Sequence, residues 1–261
     1  MPAGYAHLDF GNQVLAVLDP QLQQLIQQNI DLYHIGVHGP DILFYHQPLK
    51  NNKVKNLGYQ MHKRDATAFF QQCKQVIQKS HHQDASLVYV LVFITHFTLD
   101  SECHGYVGFV EDTKHLTHSE IESEFDRELL IHNGLNPLTT SLTSHVHDSS
   151  LVDEVIAPVF GLEPQDIKNS LKGMHTYLGF LLAPGKIKRS FIHFAMRVAG
   201  IYKGYKGLMI SYQANPICAE DVQELIQKKN NAIPIAKKLI EDYVRDLNNN
   251  HIDERFGRNY E

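Results

Sequence analysis

Five residues in the middle of the chain have the types and the spacing of metal ligands. They are His96, Asp100, His104, His118 and Glu122. The first three are four residues apart, so on an α-helix they share one face, and the last two repeat that step. Imidazole nitrogens and carboxylate oxygens are ligands that Zn²⁺ binds readily. Two such helices facing each other predict a site for more than one metal ion, as in a metal-dependent hydrolase.

The composition is that of an ordinary globular protein without a basic excess. The chain has 261 residues, of which 43% are hydrophobic and 20% charged, and this length fits one large domain or two modest ones. The formal net charge is −5. Because general nucleic-acid-binding proteins carry a basic stripe, we expect no nucleic-acid partner.

The sequence shows no feature that directs the chain out of the cytoplasm. The three cysteines, Cys73, Cys103 and Cys218, form no disulfide framework and are expected to be buried in a reducing compartment. Residues 1–13 lack the basic and apolar regions of a secretion signal. The longest apolar run, Leu87–Phe97, is too short to span a bilayer. We therefore expect a cytoplasmic protein with at most peripheral membrane contact.

Hydrophobic periodicity and capping residues predict a mostly helical chain. Asp19 followed by Pro20, and Thr117 with Glu120, are typical helix starts. The predicted helices cover residues 10–18, 20–30, 66–79, 85–102, 113–132, 165–182, 186–199 and 219–247, the last with an interruption at Pro234 left open. Residues 34–55 and 133–150 are predicted to be loops.

The segment Leu87–Thr95 is the least certain helix, because its β-branched and aromatic residues favour a strand. A strand would also place His96 and Asp100 on one face, at period two. We favour a helix because the run continues through Asp100 without a turn residue and lacks alternation. A fully buried helix is apolar on all sides.

Four motifs in the first half of the chain, in the order typical of one family, carry a resemblance. They are AHLDFG at 6–11, GPDILFY at 39–45, GYQMH at 58–62, and THFTLD at 95–100 followed by His104 and H-x₃-E at 118–122. The chain resembles the zinc-dependent phospholipase C family, the all-helical bacterial group that also matches the N-terminal domain of glycosylphosphatidylinositol phospholipase D. The resemblance implies an all-α fold, a single-domain helical bundle over residues 1–261 with a buried multi-metal site.

The resemblance also implies two or three bound zinc ions. The implied ligands are Asp41, His62, His96 and Asp100 for one ion; Asp100 again, His7 and a group from the chain start for a second; and His104, His118 and Glu122 for a third. Asp41 would be the catalytic residue as well, since it would orient the attacking water or accept its proton.

Two departures from the family pattern leave ligands open. The chain begins Met-Pro-Ala, so removal of the methionine would expose the secondary amine of Pro2 near His7, and whether it reaches a metal is open. The step from Asp100 to His104 is shorter than in the secreted members, so His115 is an alternative to His104. The acidic residues Glu120, Glu124, Asp126 and Glu128 are interpreted as a solvated helix face.

The function that these observations imply is zinc-dependent phosphoester hydrolysis, in which a metal-bound hydroxide attacks the phosphorus. The expected substrate is a phospholipid or a small phosphoester; the oligomeric state is open. The region Lys186–Arg197 is basic at its start but carries few further charges, so we expect no membrane-binding helix there.

Three alternatives belong to other classes. A single-strand-specific zinc nuclease would use similar ligands, but the chain has no tryptophan for base stacking. An HD-type phosphohydrolase would need adjacent His and Asp on a helix, and His147-Asp148 lies in a poor helical context. The third alternative is a catalytically silent metal-binding protein.

Overall fold

The computed structural model describes residues 4–260, which form helices and loops and include no β-strand. The α-helices are α1 (Gly4–Val17), α2 (Pro20–Gln28), α3 (Ile30–Gly36), α4 (Lys53–Lys63), α5 (Thr67–Lys79), α6 (Gln83–Lys114), α7 (His118–His132), α8 (Ser150–Phe160), α9 (Pro164–Leu181), α10 (Lys186–Val198), α11 (Tyr202–Tyr205) and α12 (Ala219–Arg245). Short 3₁₀ helices cover Gly39–Tyr45, Lys206–Leu208, Pro216–Cys218 and Glu254–Gly257. The predicted all-α fold is confirmed.

Helix α6 is the central element of the bundle. Its 32 residues are buried on nearly every side between Ala85 and Asp100, and α1, α3, α5 and α12 pack around it. By length and composition alone α6 could span a membrane, but 83% of its apolar window is buried inside the protein. The segment Leu87–Thr95 is therefore a core helix, as predicted, and its surroundings explain why it lacks a polar face.

The predicted break between two helices after Glu102 is wrong. Helix α6 continues to Lys114 and ends at His115, which has a left-handed φ of 56°. The helix continues because Val107 and Val110 prolong the buried face at helical spacing. Helix α7 begins at His118 rather than Thr113, and the predicted capping box of Thr117 and Glu120 is present.

The predicted loop 34–55 is wrong in part, because it contains a 3₁₀ helix over Gly39–Tyr45 that packs on α6. Gly39 has a φ of +50°, and a Cβ there would lie 2.5 Å from the ring of His96. Only glycine allows both this conformation and this approach. Pro234 lies inside α12 and does not interrupt it.

Both ends of the described chain join one hydrophobic core. The main cluster of buried residues includes Ala6 in α1 and Tyr260 near the C-terminus. A buried ion pair connects α1 with α12, since the Lys229 Nζ lies 2.5 Å from the Asp9 carboxylate. The same carboxylate accepts a hydrogen bond from the side-chain amide of Asn133. The three cysteines are free and buried, as expected.

Two glycines in α9 provide a matched test of this packing. At Gly173 an added Cβ would meet the Tyr45 carbonyl oxygen, whereas at Gly179 nothing lies within 4 Å. We expect Gly173→Ala to lower the free energy of unfolding by about 1–3 kcal/mol, because the 3₁₀ helix must move away from α9. Gly179→Ala is expected to leave it unchanged or raise it by up to about 1 kcal/mol.

Urea unfolding followed by circular dichroism measures both variants in the zinc-loaded protein. Equal stability of Gly173→Ala and Gly179→Ala would contradict the close approach of α9 to the 3₁₀ helix.

Candidate metal centre

All eight predicted ligands fall into three clusters of side chains whose ligand atoms lie within 4.8 Å of one another. The clusters are His7, His96 and Asp100; Asp41, His62 and His96; and His104, His118 and Glu122. His96 belongs to the first two clusters. The residues come from α1, the 3₁₀ helix over Gly39–Tyr45, α4, α6 and α7, so the cluster exists only when these elements are packed together.

The carboxylate of Asp100 links the three clusters. Its Oδ1 lies 3.3 Å from the His7 Nε2 and 3.8 Å from the His104 Nε2, and its Oδ2 lies 3.0 Å from the His96 Nε2 and 3.7 Å from the His62 Nε2. Burial opposes its ionisation, but His104, His96 and His7 hold its pKa well below the usual range. Asp100 is therefore a buried anion able to bridge two cations.

Asp41 and His62 are the members of the second cluster that come from outside α6. The His62 Nε2 lies 3.1 Å from the Asp41 Oδ1, and both side chains are buried. Burial opposes the charge of Asp41, but its close contact with His62 and the nearby His96 lower the pKa of Asp41 below its usual range. Asp41 is thus a carboxylate, not a carboxylic acid, at neutral pH.

The third cluster lies between α6 and α7. The Glu122 Oε1 is 3.3 Å from the His104 Nε2 and 3.2 Å from the His118 Nε2, and Glu122 is buried, whereas His118 is partly exposed. Burial lowers the pKa of His104, but Asp100 and Glu122 together raise it to about 9. His115 is exposed at the end of α6, outside the cluster, so the geometry favours His104 as the third ligand.

Backbone carbonyls orient three of the imidazoles. The Nδ1 atoms of His62, His96 and His104 lie 2.8, 3.3 and 2.7 Å from the carbonyl oxygens of Gly58, Val37 and Tyr260. An Nδ1–H donor to a carbonyl orients each ring so that its Nε2 points at the site, the usual arrangement around a metal. Tyr260 was missed by the sequence analysis, because a backbone carbonyl leaves no residue-type signal.

The donor set fits zinc. Among residues 4–260, the His96 Nε2 and the Asp41 Oδ1 are buried without a hydrogen-bond partner, although each lies within about 3.1 Å of an opposite group. These close pairs lack the alignment of a good hydrogen bond, and a cation between the two members of each pair would satisfy both. Neutral imidazoles and carboxylates are zinc ligands.

Two acidic residues of α7 were placed wrongly on a solvated face. Glu124 and Asp126 are only 6% and 1% exposed. The Asp126 carboxylate accepts backbone N–H groups of Tyr5 at 3.2 Å and Ala6 at 2.8 Å, so it anchors the first turn of α1 directly before His7. The proposed ligand role of the Pro2 amine lies outside the described residues.

A cleft of about 410 Å³ opens on the second and third clusters. Its lining includes the predicted ligands His62, His104 and His118 together with the rings of Phe44 and Tyr59. Glu111 also lines it, with its Oε2 3.6 Å from the His118 Nδ1. Metal ions held by these ligands would be reachable from solvent through the cleft.

An all-helical bundle that buries three linked imidazole–carboxylate clusters beneath a cleft has side-chain groups that could hold metal ions. Residues 6–159 match the protein family described as zinc dependent phospholipase C. The chain belongs to this family, and the matched region contains all eight predicted side-chain ligands. Neither the search of curated proteins nor that of solved structures found a match.

The clusters predict different effects for two ligand variants. We expect His96→Ala to lower zinc affinity by more than about 100-fold, because His96 belongs to two clusters and is fully buried. We expect His118→Ala, at the exposed edge, to remove one zinc equivalent only. Zinc per chain, determined by elemental analysis after dialysis, measures both effects.

His81→Ala is the control, because His81 is exposed before α6 and outside the three clusters. Full zinc content in His96→Ala would contradict the assignment of His96 as a ligand.

Proposed function

We propose that this chain is a zinc-dependent phosphoester hydrolase that cleaves a phospholipid in the manner of a phospholipase C, releasing the phosphorylated head group. The observation that carries the proposal is the linkage of three ligand clusters through Asp100 beneath an open cleft. Membership of the zinc-dependent phospholipase C family supports the same chemistry.

The predicted zinc ligands contribute to the site through their charge and through their position at the cleft. Bound zinc would act as a Lewis acid on the phosphoryl group and make water acidic enough to react near neutral pH. Asp41 and Asp100 remain ionised, because their pKa values lie below the usual range despite burial. The partly exposed His118 lies at the cleft edge, where a substrate would enter.

Asp41 is the residue that we assign to the attacking water. Its Oδ1 is buried without a hydrogen-bond partner among residues 4–260, so it can accept a hydrogen bond from that water. Because its pKa is below the usual range, it holds a proton weakly. Orientation of the water by Asp41 is therefore favoured over storage of the proton.

An apolar cavity beside the cleft supports a lipid substrate. It has a volume of about 340 Å³, and its lining includes Phe44 and Tyr59, which also line the cleft, together with Leu178, Phe180 and Met196. A phosphoester held at the metals would have its apolar part next to this cavity. Such an apolar lining matches the acyl chains of a lipid better than the charged groups of a small polar phosphoester.

Asp41→Asn tests the assigned role, since it keeps the shape of the side chain and removes the charge. We expect kcat to fall by about 10²–10⁴-fold, while the helical circular dichroism spectrum is retained. Asp65→Asn is the control, because Asp65 is an exposed residue that accepts the backbone N–H of Thr67. Turnover by Asp41→Asn equal to that of Asp65→Asn would contradict the role.

A substrate panel separates the proposed function from its alternatives. The zinc-loaded chain is incubated with phosphatidylcholine in detergent micelles, with single-stranded DNA and with bis(p-nitrophenyl) phosphate. Release of phosphocholine supports the proposal, and cleavage of the DNA alone would identify a nuclease. Turnover of none of the three, with full zinc content, would overturn the proposal in favour of a metal-binding protein without this activity.

A further inference from the structure

Helix α10 presents an apolar stripe to solvent. Ile187, Phe191, Phe194 and Val198 follow one another at steps of four, three and four residues, the spacing of one helix face. Their exposed fractions are 89%, 65%, 63% and 73%. Single exposed apolar residues are common on protein surfaces, but four in a row along one helix mark an interaction surface.

The opposite face of α10 holds the helix to the protein. Ile192 and Met196 are buried in a small second cluster with Ala183 and Met209, and the Arg189 guanidinium donates to the carbonyl oxygens of Ala183 and Ile210. Since the inner face already has its partners, the outer stripe is not a core surface that has been turned outward. It is a second apolar face.

The region around α10 is strongly basic in an acidic protein. Residues 167–219 contain eight Lys or Arg and no Asp or Glu, although the whole chain carries a net charge of −5. At roughly 100° per residue, Lys186 and Arg197 lie on one flank of the stripe and Lys188 on the other. Lys203 in α11 is also exposed.

This combination fits a lipid surface better than a protein. Long basic side chains that flank an apolar stripe can reach phosphate head groups while the stripe enters the acyl region. Two copies of this chain joined through α10 would bring their basic flanks together, and like charges repel. An anionic bilayer offers an acyl region to the apolar stripe and negatively charged head groups to the basic flanks.

The apolar cavity lies between α10 and the candidate catalytic cleft. Met196 and Ala199, on or directly after α10, line the cavity, as does Ile201. Phe44 and Tyr59 then connect the cavity with the cleft. Because Met196 belongs to the inner face, a bilayer seated on the outer face of α10 would be separated from this cavity by the width of one helix, roughly 10 Å.

We propose that the outer face of α10, formed by Ile187, Phe191, Phe194 and Val198 with its basic flanks, docks the protein on an anionic phospholipid bilayer. This inference rests on the proposed function for its purpose, the presentation of bilayer lipid to the metal centre. The sequence led us to expect no membrane-binding helix at Lys186–Arg197, because the charges there are few. The exposure of the four apolar side chains, which the sequence does not reveal, changes that expectation.

The test measures binding without turnover. The Asp41→Asn protein is sedimented with sucrose-loaded vesicles of phosphatidylcholine and phosphatidylserine, and with vesicles of phosphatidylcholine alone. We expect binding to the mixed vesicles that weakens as salt is added. Phe191→Ser with Phe194→Ser in the same background is expected to weaken it by roughly 100-fold. Ile131→Ser with Leu135→Ser removes two exposed apolar side chains outside α10 and is the control.

Each outcome decides the proposal. Loss of binding in the α10 variant but not in the control, with equal melting temperatures, supports it. Unchanged binding of the α10 variant, or equal binding to neutral and anionic vesicles, overturns it. A dimer that the α10 variant dissociates, without vesicle binding, overturns it in favour of a second copy of the chain. Vesicle binding by a wild-type protein that hydrolyses no substrate of the panel would leave the docking face standing and remove the proposed function.

Discussion

A buried carboxylate surrounded by imidazoles is the constraint on which the candidate site depends. Asp100 lies within 3.8 Å of Nε2 atoms from four histidines, and its charge is far from bulk water. Such a group is stable only if cations or polarised donors surround it. The packing of α1 and α4 around α6 therefore has to bring His7 and His62 to this point, whatever other interactions those helices make.

The rigidity of the imidazoles comes from the main chain. Carbonyl oxygens of Gly58, Val37 and Tyr260 fix His62, His96 and His104, and the Asp126 carboxylate fixes the first turn of α1 before His7. Ligands held in this way lose little freedom when a metal binds, so the site is organised before loading. The glycine at position 39 belongs to the same arrangement, since any side chain there would collide with His96.

The sequence predicted those site residues whose relative positions are set by the local geometry of one helix. A step of four residues on a helix places His96, Asp100 and His104 on one face, and the helix was predicted from its uninterrupted apolar run. His7, Asp41 and His62 come from three separate elements, so no spacing rule joins them, and their assignment depended on the family resemblance. The positions of these three residues in the site depend on tertiary packing.

The surface was less predictable than the core. Asp126 belongs to a run of acidic residues on α7 that is typical of a solvated face, but its side chain is buried against the start of α1. Helix α10 shows the reverse case, because it is apolar on two faces and its sequence does not tell which of them meets the protein. Burial depends on neighbours distant in the chain, which periodicity cannot identify.

The position of Tyr260 has a consequence for how the protein is made. Its carbonyl oxygen orients the ring of His104, which lies 156 residues earlier in the chain. Its backbone N–H donates to the carbonyl of His62. While residue 260 is still inside a translating ribosome, the histidines made earlier lack these partners. A candidate centre whose predicted side-chain ligands all come from residues 7–122 therefore waits for residue 260 before its His104 imidazole is oriented.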